Sequence, residues 1–225
     1  MPERDGEEAV LIEVVWGTAV FAVATVYASF FEWTLHRFLL HRPLGSFDYP
    51  FRTHTLTHHH IFNAFDGYHL QEEKHKDKVT FSWWNAPVLI GMQLPALYFI
   101  QKAVDFPVFW PGLAALAAYY TAYETLHWLM HVPGERWIVK TAAFRFLDRH
   151  HRLHHLFQYK NFNVVLPVAD LILGTFIGKR EDAYVKPNPR AGERAAGNQA
   201  LMDSKVPTES AVGDKEASAV EAAKS

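Results

Sequence analysis

Apolar and polar positions divide the chain into four apolar runs joined by polar, His-rich connections. Residues 9–31 (AVLIEVVWGTAVFAVATVYASFF) hold a single carboxylate, Glu13, near their start. About 20 apolar residues span a bilayer as a helix, so this run predicts a transmembrane helix. No breaker intervenes before Pro43, and the helix is expected to leave the membrane carrying His36 and His41 on its extension. Gly45, Ser46, Asp48 and Pro50 predict a turn over 44–52. Residues 81–100 form the second run, with Pro87 and Pro95 inside it, as membrane helices tolerate. Trp83 and Trp84 suit its interfacial end. Residues 113–130 (LAALAAYYTAYETLHWLM) form the third, close enough behind the second to make an antiparallel helical hairpin. The fourth, within 157–178, is short for a span and carries Pro167 and Asp170. It predicts a segment packed at the membrane surface or against the histidines. The expected class is all-α: an integral-membrane helical bundle of about three to four membrane helices, with a cytoplasmic His-rich helical cap, over residues 1–178. From 179 to 225 the chain is charged, rich in Ala, Gly and Pro, and aromatic-poor after Tyr184, which predicts a disordered polar tail.

Composition narrows the chemistry. The chain has 225 residues, 14 His, no Cys and a formal net charge of −2. That length suits one folded domain, and so small a charge gives no basis for a nucleic-acid partner. Without Cys there are no disulfides, no thiolate catalysis, no Cys-ligated zinc and no Cys-held iron–sulfur cluster. The acidic start, Met1 to Glu8, lacks the basic n-region of a secretory signal. One crossing precedes the first two His groups and two more precede the rest. An even number of crossings returns the chain to one side, so all the His groups should share a compartment. Arg37, Arg42, Arg52, Lys74, Lys76, Lys78, Arg136, Arg145, Arg149 and Arg152 fall on that side; opposite lie the acidic stretch Met1 to Glu8 and a connection whose only clear cation is Lys102. The positive-inside rule makes it cytoplasmic. The expectation is an inner-membrane protein with the histidines and tail in the cytoplasm.

The segment Arg149-His-His-Arg-Leu-His-His155 packs four imidazoles into six positions. Residues three and four apart share a helix face, so His151, His154 and His155 should aim at one point. Alone, the segment could equally be a solvated basic run. Three other groups accompany it. His36 and His41, five apart, would stand about 140° apart on an α-helix and flank a site. His54 and His58 would share a face with His59 beside it, and His127 and His131 lie one turn apart. His69 and His75 sit among charges and are expected to face solvent or to stand behind the ligands as their partners. The candidate ligands are His36, His41, His54, His58, His59, His127, His131, His151, His154 and His155. First-row metals take about four to six ligands, so ten imply two ions close together. An all-imidazole set suits iron, zinc or copper. Ligating imidazoles need an acceptor for the other ring N–H. Glu32, Glu124 and Asp148 stand one turn before His36, His127 and His151, and could serve, or could pair with local Arg.

The four groups in order, H-x4-H, H-x3-HH, H-x3-H and H-x2-HH, resemble the fatty acid hydroxylase / sterol desaturase superfamily of integral-membrane non-haem di-iron oxygenases. Asn161-Phe162-Asn163 and Asp170-Leu-Ile-Leu-Gly174-Thr175 are similar to that family's closing pattern of N-[FY]-G and D-x3-GT. Roughly residues 30 to 178 are covered. Asn163 stands where the pattern has Gly. His60 extends the second group, so that His59 and His60 form an alternative pair, and His150 likewise adjoins a ligand. The resemblance implies two iron ions on the ten histidines, O2-dependent hydroxylation of a C–H bond in a membrane lipid (fatty acyl, sterol-like or carotenoid), and no catalytic residue beyond the ligands. Zinc can replace iron, since it binds imidazole more tightly than ferrous iron. A separate ferredoxin- or cytochrome b5-type donor with its reductase is implied, because no such domain is present. Two alternatives stand beside hydroxylation: desaturation at the same site, and a His-rich metal-binding membrane protein without catalysis. A transporter places ionisable groups mid-span, whereas these histidines sit where the predicted helices leave the membrane.

Overall fold

The long breaker-free run at the N-terminus forms α1, Pro2–Leu35, 34 residues and so about 51 Å at 1.5 Å per residue. In the computed structural model, which describes residues 2–180, the elements that follow are all helical. The predicted tail lies outside the described residues beyond Arg180. A π-helix, His36–Leu40, continues α1. After the turn around Gly45, α2 (Tyr49–Phe51), a second π-helix (Arg52–His58) and α3 (His59–Ile61) run on as one helical stretch. A 3-10 segment, Glu73–Lys78, precedes α4 (Asn85–Gly91) and α5 (Leu94–Ala103). Then come α6 (Phe109–His131), a 3-10 turn (Trp137–Lys140), α7 (Ala142–Leu156) and the short α8 (Val168–Ile172).

The second apolar run is therefore two helices rather than one. Pro95 sits in the first turn of α5, where its missing N–H is harmless, whereas a continuous helix would set its ring against the carbonyl of Gly91. Among the described residues, one helix is long and apolar enough to cross a membrane: Gly6–Leu40, whose most apolar window has no buried residue. In α6 the polar groups of Tyr119, Tyr120, Tyr123, Glu124 and His127 dilute the apolar count.

α6 packs against both α1 and α5, and α8 packs against α1. Ala28 of α1 meets Leu116 and Tyr119 of α6 in one apolar cluster. Tyr68, Tyr123, Leu129, Met130, Phe144 and Val164 form another, which joins α6, α7 and two connecting segments. Full burial of each large side chain of this kind contributes about 1.5–3 kcal/mol, which fixes the helix ends relative to one another. The Thr141 hydroxyl caps α7 by accepting from Phe144 N–H at 3.2 Å. That cap starts a helix whose inner face carries His150, His151, His154 and His155, all buried.

Candidate metal centre

Four pairs of histidines are brought together by two kinds of helix. In α6 and α7, regular α-helical spacing puts His127 over His131 and His151 over His155. In the π-helices the repeat is one residue longer. His41 N–H donates to His36 O at 3.1 Å, and an i→i+5 bond sets residues five apart over each other. The rings of His36 and His41 stack with centroids 5.0 Å apart, not on opposite flanks as an α-helix would have them. In the second π-helix His59 N–H donates to His54 O, and the Nε2 atoms of His54 and His59 lie 3.1 Å apart. His54 therefore pairs with His59 rather than with His58.

All ten predicted histidines are buried and fall into two groups of five. The first is His36, His41, His54, His59 and His154; the second is His58, His127, His131, His151 and His155. Within each group one ring nitrogen from every residue lies within 4.8 Å of the others. The expected convergence of His151, His154 and His155 on one point is thus divided, with His154 turned to the first group. In that group the Nε2 atoms form a chain: His36 to His54 at 2.9 Å, His54 to His59 at 3.1 Å, His59 to His154 at 3.2 Å and His154 to His41 at 3.0 Å. In the second, His151 Nε2 is 3.1 Å from that of His131 and 3.0 Å from that of His155. The groups share a wall, where the His59 and His155 rings stack at 4.2 Å.

The partners of the other ring nitrogens decide which of these contacts can be ordinary hydrogen bonds. His154 Nδ1 donates to Lys160 O at 2.8 Å, and His36 Nδ1 bonds to Phe162 O. The Thr55 hydroxyl gives its proton to Leu40 O at 2.6 Å, so His41 Nδ1–H donates to Thr55 Oγ1 at 3.0 Å. In the second group His131 Nδ1 donates to Tyr68 O at 2.7 Å and His58 Nδ1 to Lys78 O at 3.0 Å. His127 is bonded to the Val79 backbone. A proton on Nδ1 leaves Nε2 as a bare lone pair, so the Nε2 lone pairs of His41 and His154 face each other at 3.0 Å. His58 Nε2 and His127 Nε2 are buried with no hydrogen-bond partner, which costs about 1–3 kcal/mol each if nothing else meets them. Protonation does not relieve the conflict. Burial holds His58 and His154 down to about 4, against the opposing pull of their backbone bonds. Burial, then neighbouring imidazoles, keeps His54, His59, His151 and His155 well below the ordinary range. A cation between the lone pairs resolves it: nitrogens about 2.1 Å from one ion, in adjacent positions, stand about 3 Å apart. The residues fit a metal ion in each group.

No family model matches the chain, and no curated protein or solved structure matches it either.

The expected carboxylate partners serve elsewhere. Glu32 accepts from Tyr119 Oη at 2.6 Å, Val164 N–H at 2.6 Å and Asn163 Nδ2 at 3.0 Å. Glu124 accepts from Tyr120 Oη at 3.0 Å and Phe81 N–H at 3.3 Å, and Asp148 from Tyr68 Oη at 3.1 Å. Backbone carbonyls orient His36, His58, His131 and His154 instead, a role that side-chain identity does not encode. His60 is exposed and belongs to neither group. His69 and His75 are half-buried, and His69 Nε2 accepts from Arg152 Nη2 at 3.3 Å. His150 is buried yet faces away from both groups, with its Nε2 3.1 Å from Asp170 Oδ2. Burial works to raise the Asp170 pKa, but hydrogen bonds from His150, Thr175 and Asn163 outweigh it and hold the carboxyl below its ordinary value.

A cavity of about 360 Å³ adjoins both groups. Phe31, Leu35, Leu39, Leu89, Ile90 and Leu116 supply its apolar wall, while His36 and His54 of the first group and His58 and His127 of the second line it too. Tyr49, Thr53, Lys78, Ser82 and Asn85 supply polar lining.

Proposed function

We propose that the chain is a membrane-embedded di-iron oxidoreductase that hydroxylates a C–H bond of a membrane lipid with O2, as the resemblance of its four His groups implies. One observation carries the reading: imidazoles of both five-membered groups line the same largely apolar cavity. The volume is in the usual range for small-molecule sites, about 300–1,000 Å³. Two iron ions held there supply the O2-reducing, C–H-oxidising chemistry. The chain's own residues do the rest. The aliphatic side chains of α1, α4 and α6 bind and orient an acyl or isoprenoid chain and exclude water. Tyr49, Lys78, Ser82 and Asn85 offer hydrogen bonds to a polar head. The ten imidazoles act as ligands, kept neutral by burial, and not as acids or bases. Electrons come from a separate ferredoxin- or cytochrome b5-type carrier with its reductase.

The membrane reading rests on α1, whose exposed Val10, Leu11, Val14, Val15 and Val23 suit lipid, and on the α4–α5–α6 hairpin beside it. α8 fits the same picture. It turns Asp170 inward and exposes Leu171 and Ile172, with Leu173 following, the inverse of a water-facing helix. The Arg and Lys bias makes the His side cytoplasmic, so a reporter fused after Arg180 should be active there; an exported reporter would contradict that sidedness. The test of the function is lipid mass spectrometry of cells with and without the protein under 18O2. A lipid that gains one labelled hydroxyl only when the protein is present is expected. Loss of two hydrogens without label would make it a desaturase, and unchanged lipids alongside bound metal would leave a metal-binding protein without catalysis.

A further inference from the structure

The two groups take their orienting carbonyls from different stretches of chain. The second draws on 68–79: Tyr68 O holds His131 and Lys78 O holds His58. The first draws on the segment after α7: Lys160 O holds His154 and Phe162 O holds His36. That segment contributes no ligand and forms no regular helix between Phe157 and Pro167. Asn161 is left-handed there, at φ 54. Asn161 ties it to His150 O and Ile177, and Glu32 accepts Val164 N–H at 2.6 Å, but the two N–H groups on either side of the Phe162 carbonyl, those of Phe162 and Asn163, both go to Asp170.

The Asp170 carboxylate accepts Phe162 N–H at 2.9 Å and Thr175 Oγ1–H at 2.6 Å on one oxygen, and Asn163 N–H at 2.8 Å and His150 Nε2–H at 3.1 Å on the other. Asn163 Oδ1 accepts the Asp170 N–H in return at 3.1 Å, and Trp33 Nε1 of α1 donates to Thr175 Oγ1 at 2.8 Å. Phe162 is thus held by its N–H while its carbonyl faces His36. Asp170 touches no ligand, yet it fixes the peptide that fixes one.

We propose that Asp170 is the positioning residue of the first histidine group alone, acting through the 160–163 backbone, while the second group is set independently by 68–79. The proposal rests on the reading that each group holds a metal. Outer partners of metal ligands act on affinity by about 10–100-fold, and here the effect should be confined to one ion. Asp170→Asn keeps the shape but replaces one acceptor oxygen by an N–H2 that faces donors.

The experiment titrates the full-length protein in detergent with Co(II) alone, followed by its visible absorption, in two backgrounds. His131→Ala disables the second group and His59→Ala the first. The parent is expected to bind about two Co(II), one per group. Adding Asp170→Asn should weaken the Co(II) left in His131→Ala about 10–100-fold and leave that in His59→Ala unchanged. Thr175→Val, which removes one of the four donors, should act in the same direction with a smaller loss, and decides the matter if Asp170→Asn does not accumulate. Equal weakening in both backgrounds would mark Asp170 as a general structural residue and overturn the proposal, as would no weakening in His131→Ala. A parent that binds no Co(II) would overturn the metal reading and this inference together, whereas two ions with no difference between backgrounds would overturn this inference alone.

Discussion

At the scale of single residues, burial and convergence separate ligands from neighbours. His59 and His60 are adjacent, but one is buried among four other imidazoles and the other is exposed. His59→Ala should therefore abolish turnover and lower metal occupancy, while His60→Ala should leave both near the parent level. His131→Ala, His151→Ala and His155→Ala should behave like the first, and His69→Ala and His75→Ala like the second. Oxygen-dependent product and iron content, measured at matched expression, check this; a His155→Ala protein with both at the parent level would contradict the second group. That these ten histidines converge was legible from spacing, because imidazoles recurring every three to five positions on helices can reach a common point. Their partition into two groups was not. His54 and His58 look paired at four-residue spacing, and only the i→i+5 bond of the second π-helix sends them to different groups. The orienting partners were likewise illegible, since Tyr68, Lys78, Lys160 and Phe162 act through main-chain carbonyls.

At the scale of elements, the contrast between π- and α-helices makes a distinct prediction. A π-turn is an α-helix with one extra residue. Deleting Phe38, whose side chain is exposed, should return His36–Leu40 to α geometry with His36 and His41 still superposed at four-residue spacing. Deleting Leu153 from the regular α7 instead moves His154 and His155 about 100° around the helix relative to His151. Metal content should largely survive the first deletion and fall by at least one ion in the second; equal loss in both would show that the π-helices do not set the pairing. The helical runs themselves were readable from their unbroken apolar stretches and the absence of breakers, as α1 and α6 illustrate. The break in 81–100 was signalled by Pro95, but membrane helices often carry prolines, so the sequence alone could not place it. The role of 157–178 was hidden for another reason. Asn161, Asn163 and Asp170 look out of place in an apolar stretch until their backbone partners are known.

At the scale of the whole molecule, a long apolar helix, a hairpin beside it and a cap of short helices bring ten imidazoles together in two groups, and two from each group line one cavity. Neutral and buried, with the His41 and His154 lone pairs aimed at each other and the His58 and His127 Nε2 atoms unpartnered, they are an unstable arrangement without cations. That is the central claim, and it precedes any assignment of substrate. The direct measurement is elemental analysis of protein gently extracted from its native membranes and quantified by amino-acid analysis. The account predicts about two metal ions per chain, one for each group of five, with iron in the active form and zinc taking its place on overexpression. Well under one metal ion per chain would contradict it.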